Sequence, residues 1–134
     1  MSQENVEIVR RLYGLWPDRV SVFSAAEEFL QPDVVIDIPE IVLTPAFYRG
    51  FDGVRRFLER VEEIWENLRV EPGELIDAGD NVVAVVRMSG KRRISGMKEE
   101  VRVSTVWTFH EGKVLRYTSY RNRATALEAV GLSE

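Results

Sequence analysis

Apolar positions recur at helical spacing in the first half of the chain and alternate in the second. Val6, Val9, Leu12, Tyr13 and Trp16 share one face of a helix predicted over 3–16, which Ser2 can cap and Pro17 ends. Ser24, Ala25, Ala26 and Glu27 fit a capping box that opens a short helix to about residue 30, stopped near Pro32. Residues 34–38 read as a short strand, followed by a loop between Pro39 and Pro45. The strongest periodicity predicts a helix over 52–68, capped by Asp52. Val54, Phe57, Leu58, Val61, Ile64, Trp65 and Leu68 form one stripe of it, and Glu59, Arg60, Glu62, Glu63 and Glu66 take the other side.

Strands are predicted over 70–77, 82–93, 98–109 and 113–121, with Gly90 as an expected bulge. Val101, Val103, Thr105, Trp107 and Phe109 alternate onto one face. Turns fall at Gly79-Asp80-Asn81 and His110-Glu111-Gly112, and Asn122 caps a last helix that Gly131 closes. Helices early and a meander late predict an α+β fold, a curved antiparallel sheet wrapped around the long helix. A helix with one apolar stripe cannot fill such a curve, so an internal pocket is expected between the two.

Composition narrows the function classes. The 134 residues fit a single domain over 1–134, with 45% hydrophobic and 30% charged residues. Lys and Arg number 18 against 22 Asp and Glu, a net charge of −4, which argues against a nucleic-acid partner. There is no cysteine, which excludes disulfides and thiolate chemistry. No segment approaches the ~20 apolar residues of a membrane span, and the N-terminus lacks the pattern of a signal peptide; a cytoplasmic protein without a membrane partner is expected. Only three of the basic residues are lysine, an arginine bias that suggests a GC-rich, bacterial genome. Lys91-Arg92-Arg93 is the one basic run and reads as a solvated hairpin edge.

Four segments in order resemble a known superfamily. Residues 48–57 (YRGFDGVRRF) are similar to its entry to a long helix, and Gly79-Asp80-Asn81-Val82-Val83 to its turn into a strand. Residues 107–114 (WTFHEGKV) resemble its hairpin, and residues 123–132 (RATALEAVGL) the tail of its SnoaL-like members. The resemblance is to the nuclear transport factor 2-like, or ketosteroid isomerase-like, superfamily on its SnoaL-like side. It implies a cone-shaped, cystatin-like roll, a small-molecule ligand, dimers and no cofactor. It leaves chemistry open, because isomerases, cyclases, dehydratases, epoxide hydrolases and non-catalytic binders share this fold.

Held against those chemistries, the residues match in fragments. Of the isomerase's groups only the helix-one tyrosine is present, as Tyr13; the base position holds Ile38, with Asp37 one residue earlier, and Thr105 stands in place of the second acid. The only histidine, His110, lies in a turn, so dehydratase chemistry and histidine metal centres are not expected, nor is any metal site. Arg87 interrupts an apolar strand and suggests a carboxylate partner, as in epoxide hydrolases, with Asp37 as a candidate. Asp37 is the one carboxylate in an apolar stretch, hence the expected acid/base, with Tyr13 and Arg87 as partners. Trp16, Phe57, Trp65, Thr105, Trp107, Tyr117, Ser119 and Arg121 are expected to line the pocket. Two classes stay open: a cofactor-free enzyme acting on a small apolar or polyketide-like molecule, and a non-catalytic binding or dimerisation module. A homodimer through the sheet's outer face is expected from Val106, Thr108, Val114 and Tyr120.

Overall fold

A computed structural model of the chain describes residues 2–16, 18–38 and 46–132. The elements are α1 (Ser2–Gly14), α2 (Arg19–Phe29), β1 (Leu30–Ile38), β2 (Ala46–Arg49), α3 (Gly50–Ile64), β3 (Trp65–Ala78), β4 (Asn81–Arg92), β5 (Lys98–His110), β6 (Lys113–Tyr120) and α4 (Arg123–Ala129). Six strands form one curved sheet in the order β2-β1-β6-β5-β4-β3. All neighbours are antiparallel except β1 and β6, which run parallel, so the sheet is mixed rather than wholly antiparallel. The parallel pair joins the early strand to the end of the late meander, with the intervening chain as its crossover.

The long helix is shorter than its apolar stripe suggests. It stops at Ile64, and Trp65 and Leu68 belong to β3. Between Glu66 and Arg69 the register slips by one residue against β4, with Asn67 in the left-handed region at φ 54°. That bulge turns Trp65, Leu68 and Val70 toward the core although the first two are three residues apart, a spacing that imitates a helix. The helix end is closed by the β4–β5 hairpin: Arg93 N–H donates to the Ile64 carbonyl at 2.9 Å, and its guanidinium Nε to the Glu62 carbonyl. The bulge expected at Gly90 therefore sits on the facing strand, while Gly90 itself keeps register with Glu99. A Cβ on Gly90 would stand 3.2 Å from Leu68 Cα and from Trp65 Cε3, a close approach that favours glycine because both neighbours would have to give.

Other boundaries move for equally local reasons. α2 begins five residues before Ser24, because Asp18 accepts from Ser21 Oγ at 2.8 Å and from Ser21 N at 3.5 Å and opens the helix instead. Pro32 lies within β1, and β2 is a strand the sequence pattern did not reveal. Asp52 sits in the first turn of α3, paired with Arg55 and Arg56, while the N-cap position is Arg49. The roles expected of Pro17 and of the Pro39–Pro45 loop, and the side chain of Ser2, lie outside the described residues. Asn122 caps α4 as expected, accepting from Thr125 N at 2.9 Å, and Leu132 N–H reaches back to the Leu127 carbonyl past Gly131 at φ 80°.

Two cores result. The larger fills the concave side, where Val54, Leu58 and Val61 of α3 join Val9, Leu12 and Tyr13 of α1 and the inward residues of β1, β4, β5 and β6. The smaller lies on the convex side, where Ala126 and Leu127 of α4 cover Val83 and Val106 with Ile76 and Tyr120 packed against them. Two residues of the expected dimer patch are thus occupied within the chain itself. A third, Val114, points inward, because the register slip between Thr108 and Phe109 places it opposite Phe109 in the main core. Among the described residues no helix is long and apolar enough to cross a membrane.

Candidate functional site

Between α1, α3 and the concave face of the sheet lies a cavity of about 120 Å³, well above the ~10–15 Å³ needed to hold a single water. Every layer contributes to it: Tyr13 and Trp16 from the α1 side, Phe57 and Leu58 from α3, Ile36 and Ile38 from β1, Thr105 and Trp107 from β5, Tyr117 and Ser119 from β6. The walls are apolar except at one cluster. Trp107 Nε1–H donates to the Tyr13 hydroxyl at 3.2 Å, and the Thr105 and Ser119 hydroxyls lie 3.3 Å apart on facing strands. The rings interlock edge to face, Tyr13 to Trp107 at 5.4 Å and Trp107 to Tyr117 at 4.7 Å between centroids.

The cluster is an array of protonated donors. Burial pushes the Tyr13 phenol well above its ordinary value, with the neighbouring Tyr117 adding to the rise; hydrogen bonds from Trp107 and Thr105 oppose it. Burial raises Tyr117 likewise, against hydrogen bonds to Ser119 and Thr105. Neither phenol can serve as a base near neutral pH, and both can donate. Thr105 is 1% exposed and Ser119 6%, so these hydroxyls must find partners inside the protein or on a ligand. At the other end Trp65, shared with a second recess beside Glu62, Asn67 and Arg93, has an Nε1–H without a partner among the described residues.

Of the expected pocket residues, Tyr13, Trp16, Phe57, Trp65, Thr105, Trp107, Tyr117 and Ser119 all line the cavity. Asp37, Arg87 and Arg121 do not. The strand alternation of β1 buries Val34, Ile36 and Ile38 and turns Asp37 to the convex face, where its carboxylate meets Arg116 at 2.9 Å. Arg87 is also on the convex face and pairs with Glu71 at 3.3 Å, not with Asp37. Arg121 follows the end of β6 and is exposed. The described lining holds no Asp, Glu, His, Lys or Arg, and among the described residues no cluster of acids or histidine could hold a metal ion. Sequence reasoning missed the aliphatic part of the wall, Ile36, Leu58, Val61 and Val86 among it, whose plain apolar pattern signals core as readily as cavity wall.

The sequence pattern of the SnoaL-like domain family matches residues 9–117. The chain belongs to that family. No curated protein matches this SnoaL-like chain in sequence. Solved structures do resemble it. A nuclear transport factor 2-like protein from Burkholderia thailandensis is 28% identical, with 87% of this chain and 89% of that one aligned at a TM-score of 0.76. A candidate SnoaL-like polyketide cyclase from Jannaschia is 20% identical over 100% of this chain and 96% of that one, at 0.79. TerC, co-crystallised with polyporic acid, is 24% identical over 95% and 98%, at 0.75. These likenesses carry the fold of the SnoaL-like domain, and its activity is read from the site.

Proposed function

We propose that this SnoaL-like domain is a non-catalytic binder of a small, uncharged, largely apolar molecule whose oxygen sits against the Tyr13–Thr105–Trp107–Ser119 cluster. The observation that carries this reading is the chemistry of the lining: a ring of apolar walls, one group of neutral hydroxyls, and no described side chain that accepts a proton near neutral pH. A charged ligand would be stripped of water with nothing to replace it. TerC, a protein of the same fold, was co-crystallised with polyporic acid, which supports a small organic ligand; the neutrality of the ligand is argued from the lining of this chain alone. Acid/base catalysis through Asp37 has little support, since that carboxylate is spent on Arg116 on the opposite face. A homodimer is also proposed, on the SnoaL-like resemblance rather than on an apolar outer patch, since α4 covers much of that face; residence in a bacterial cytoplasm is proposed on the cysteine-free composition and the arginine bias.

The test is titration with β-naphthol, ethylnaphthalene and naphthoate, followed by tryptophan fluorescence. The two neutral probes should bind and the carboxylate should not. Replacing Thr105 by Val and Ser119 by Ala should weaken β-naphthol roughly tenfold, the worth of about one hydrogen bond, and leave ethylnaphthalene unchanged. No response to either neutral probe up to its solubility would sink the reading.

A further inference from the structure

The tip of the β4–β5 hairpin concentrates two features that a water-facing turn does not need. Ile94 is 102% exposed and Met97 64%, the two most exposed large apolar side chains among the described residues. Around them the sequence Lys91-Arg92-Arg93-Ile94-Ser95-Gly96-Met97-Lys98 carries four cations and no acid, in a chain whose net charge is −4. Lys91 and Lys98 stand directly opposite one another across the strand pair, an arrangement that repels. Both are exposed, and neither makes an ion pair with a described residue, although Glu66 lies across from Lys91 on β3. The remaining two cations are engaged at the hairpin's base, Arg92 with Glu99 and over the Trp65 ring at 4.5 Å, Arg93 with the end of α3.

We propose that this tip docks on the surface of an anionic phospholipid bilayer, with Ile94 and Met97 entering the headgroup layer and Lys91 and Lys98 against its phosphates. A local conflict between exposed apolar groups and unpaired like charges is relieved by one environment that is both anionic and apolar. The patch is a convex tip, which suits insertion between headgroups; a folded protein would have to offer a matching pit. The chain's overall negative charge does not forbid the contact, because at physiological salt charges beyond ~8 Å are largely screened. Expectation from the sequence excluded a membrane partner on the absence of a spanning segment, and surface docking needs none. Arg93 of the same hairpin borders the recess beside Trp16 and Trp65, so docking would bring that end of the cavity close to the lipid. The proposal stands independently of what the cavity holds.

The experiment is co-sedimentation of the full chain with phosphatidylcholine vesicles, with and without phosphatidylglycerol, at low (about 0.1 M) and high (about 1 M) salt, so that the chain's distant negative charges stay largely screened in both. The protein should pellet with the anionic vesicles at low salt and be released by salt. Lys91→Gln with Lys98→Gln should weaken association about thirtyfold, roughly fivefold for each lysine near the surface. Ile94→Ser with Met97→Ser should weaken it as well, and all four positions are exposed, so circular dichroism should be unchanged. Failure to bind anionic vesicles at low salt, equal binding to neutral ones, or variants that bind like the wild type would each overturn the proposal. So would a change in oligomeric state in the apolar double variant without vesicles, which would make the tip a contact between copies.

Discussion

Trp107 donates its indole N–H to the Tyr13 hydroxyl over 3.2 Å, tying β5 to α1 across the floor of the cavity. Both side chains are 8% exposed, so water cannot easily replace either partner. Tyr13→Phe leaves the ring contacts in place and strands the Trp107 donor. The expected loss is about 1–3 kcal/mol of unfolding free energy, the cost of an unsatisfied buried group. Urea denaturation of the variant measures it. A change within experimental error would mean the bond contributes nothing to the fold.

Asp37 and Ile38 differ by one position and by a face of the sheet. Asp37→Asn should shift stability by less than ~1 kcal/mol, because its partner Arg116 is 47% exposed and surface pairs contribute little. Ligand affinity should stay within a few-fold. Ile38→Asp places a carboxylate into the apolar lining and should destabilise by several kcal/mol or more at neutral pH, roughly the cost of burying an unpartnered polar group. Thermal unfolding of the two variants side by side gives the comparison; equal behaviour would contradict the assigned orientation of β1.

Gly90→Ala should cost about 1–3 kcal/mol, as overpacking does, since the new methyl would meet Leu68 Cα and Trp65 Cε3 at 3.2 Å. The Trp65 ring and the bulge at Asn67 both have to give. Gly79→Ala is the control: its added Cβ meets nothing within 4 Å, and only the left-handed φ of 74° opposes it. Intact tryptophan fluorescence and stability in Gly90→Ala would remove the packing argument for this glycine.

The aromatic and hydroxyl-bearing part of the cavity wall was legible because it is set by alternation and helical stripes. Thr105, Trp107, Tyr117 and Ser119 fall on one face once the strands are placed, and Tyr13 and Phe57 follow from helical stripes. The acid/base assignment failed on the same rule: in β1, the valine and isoleucines at even positions fix the inward face and exclude Asp37. Arg87 looked anomalous only because Val83 and Val85 beside it are apolar on the outer face, and the reason for Val83, its cover by α4, is a tertiary contact no local pattern reveals. The end of α3 was misplaced because a bulge in β3 reproduces helical spacing, and the cap that ends the helix comes from Arg93, far along the chain. Val114 turned inward through a slip in strand register that has no signature in composition.

Two enclosed phenols, Tyr13 buried and Tyr117 half-buried, make the fold sensitive to alkali. Tyr13 and Tyr117 are both held above their ordinary value of 10.0, first by burial. Below that value the phenols are protonated in the folded and the unfolded chain alike, and their contribution to stability is fully present. As pH rises past it, the unfolded chain releases these protons and the folded chain keeps them. The native state then binds more protons, and stability falls by about 1.4 kcal/mol per pH unit for each phenol until its folded value is reached. Tyrosinate absorbance should therefore gain a component that appears only together with loss of tertiary structure, seen in parallel by near-ultraviolet circular dichroism. Tyr117→Phe should reduce that component and flatten the fall in stability above pH ~10. If all four tyrosines ionise while the near-ultraviolet spectrum is still native, the hydroxyl cluster is open to water and the apolar, neutral site argued for ligand binding does not exist.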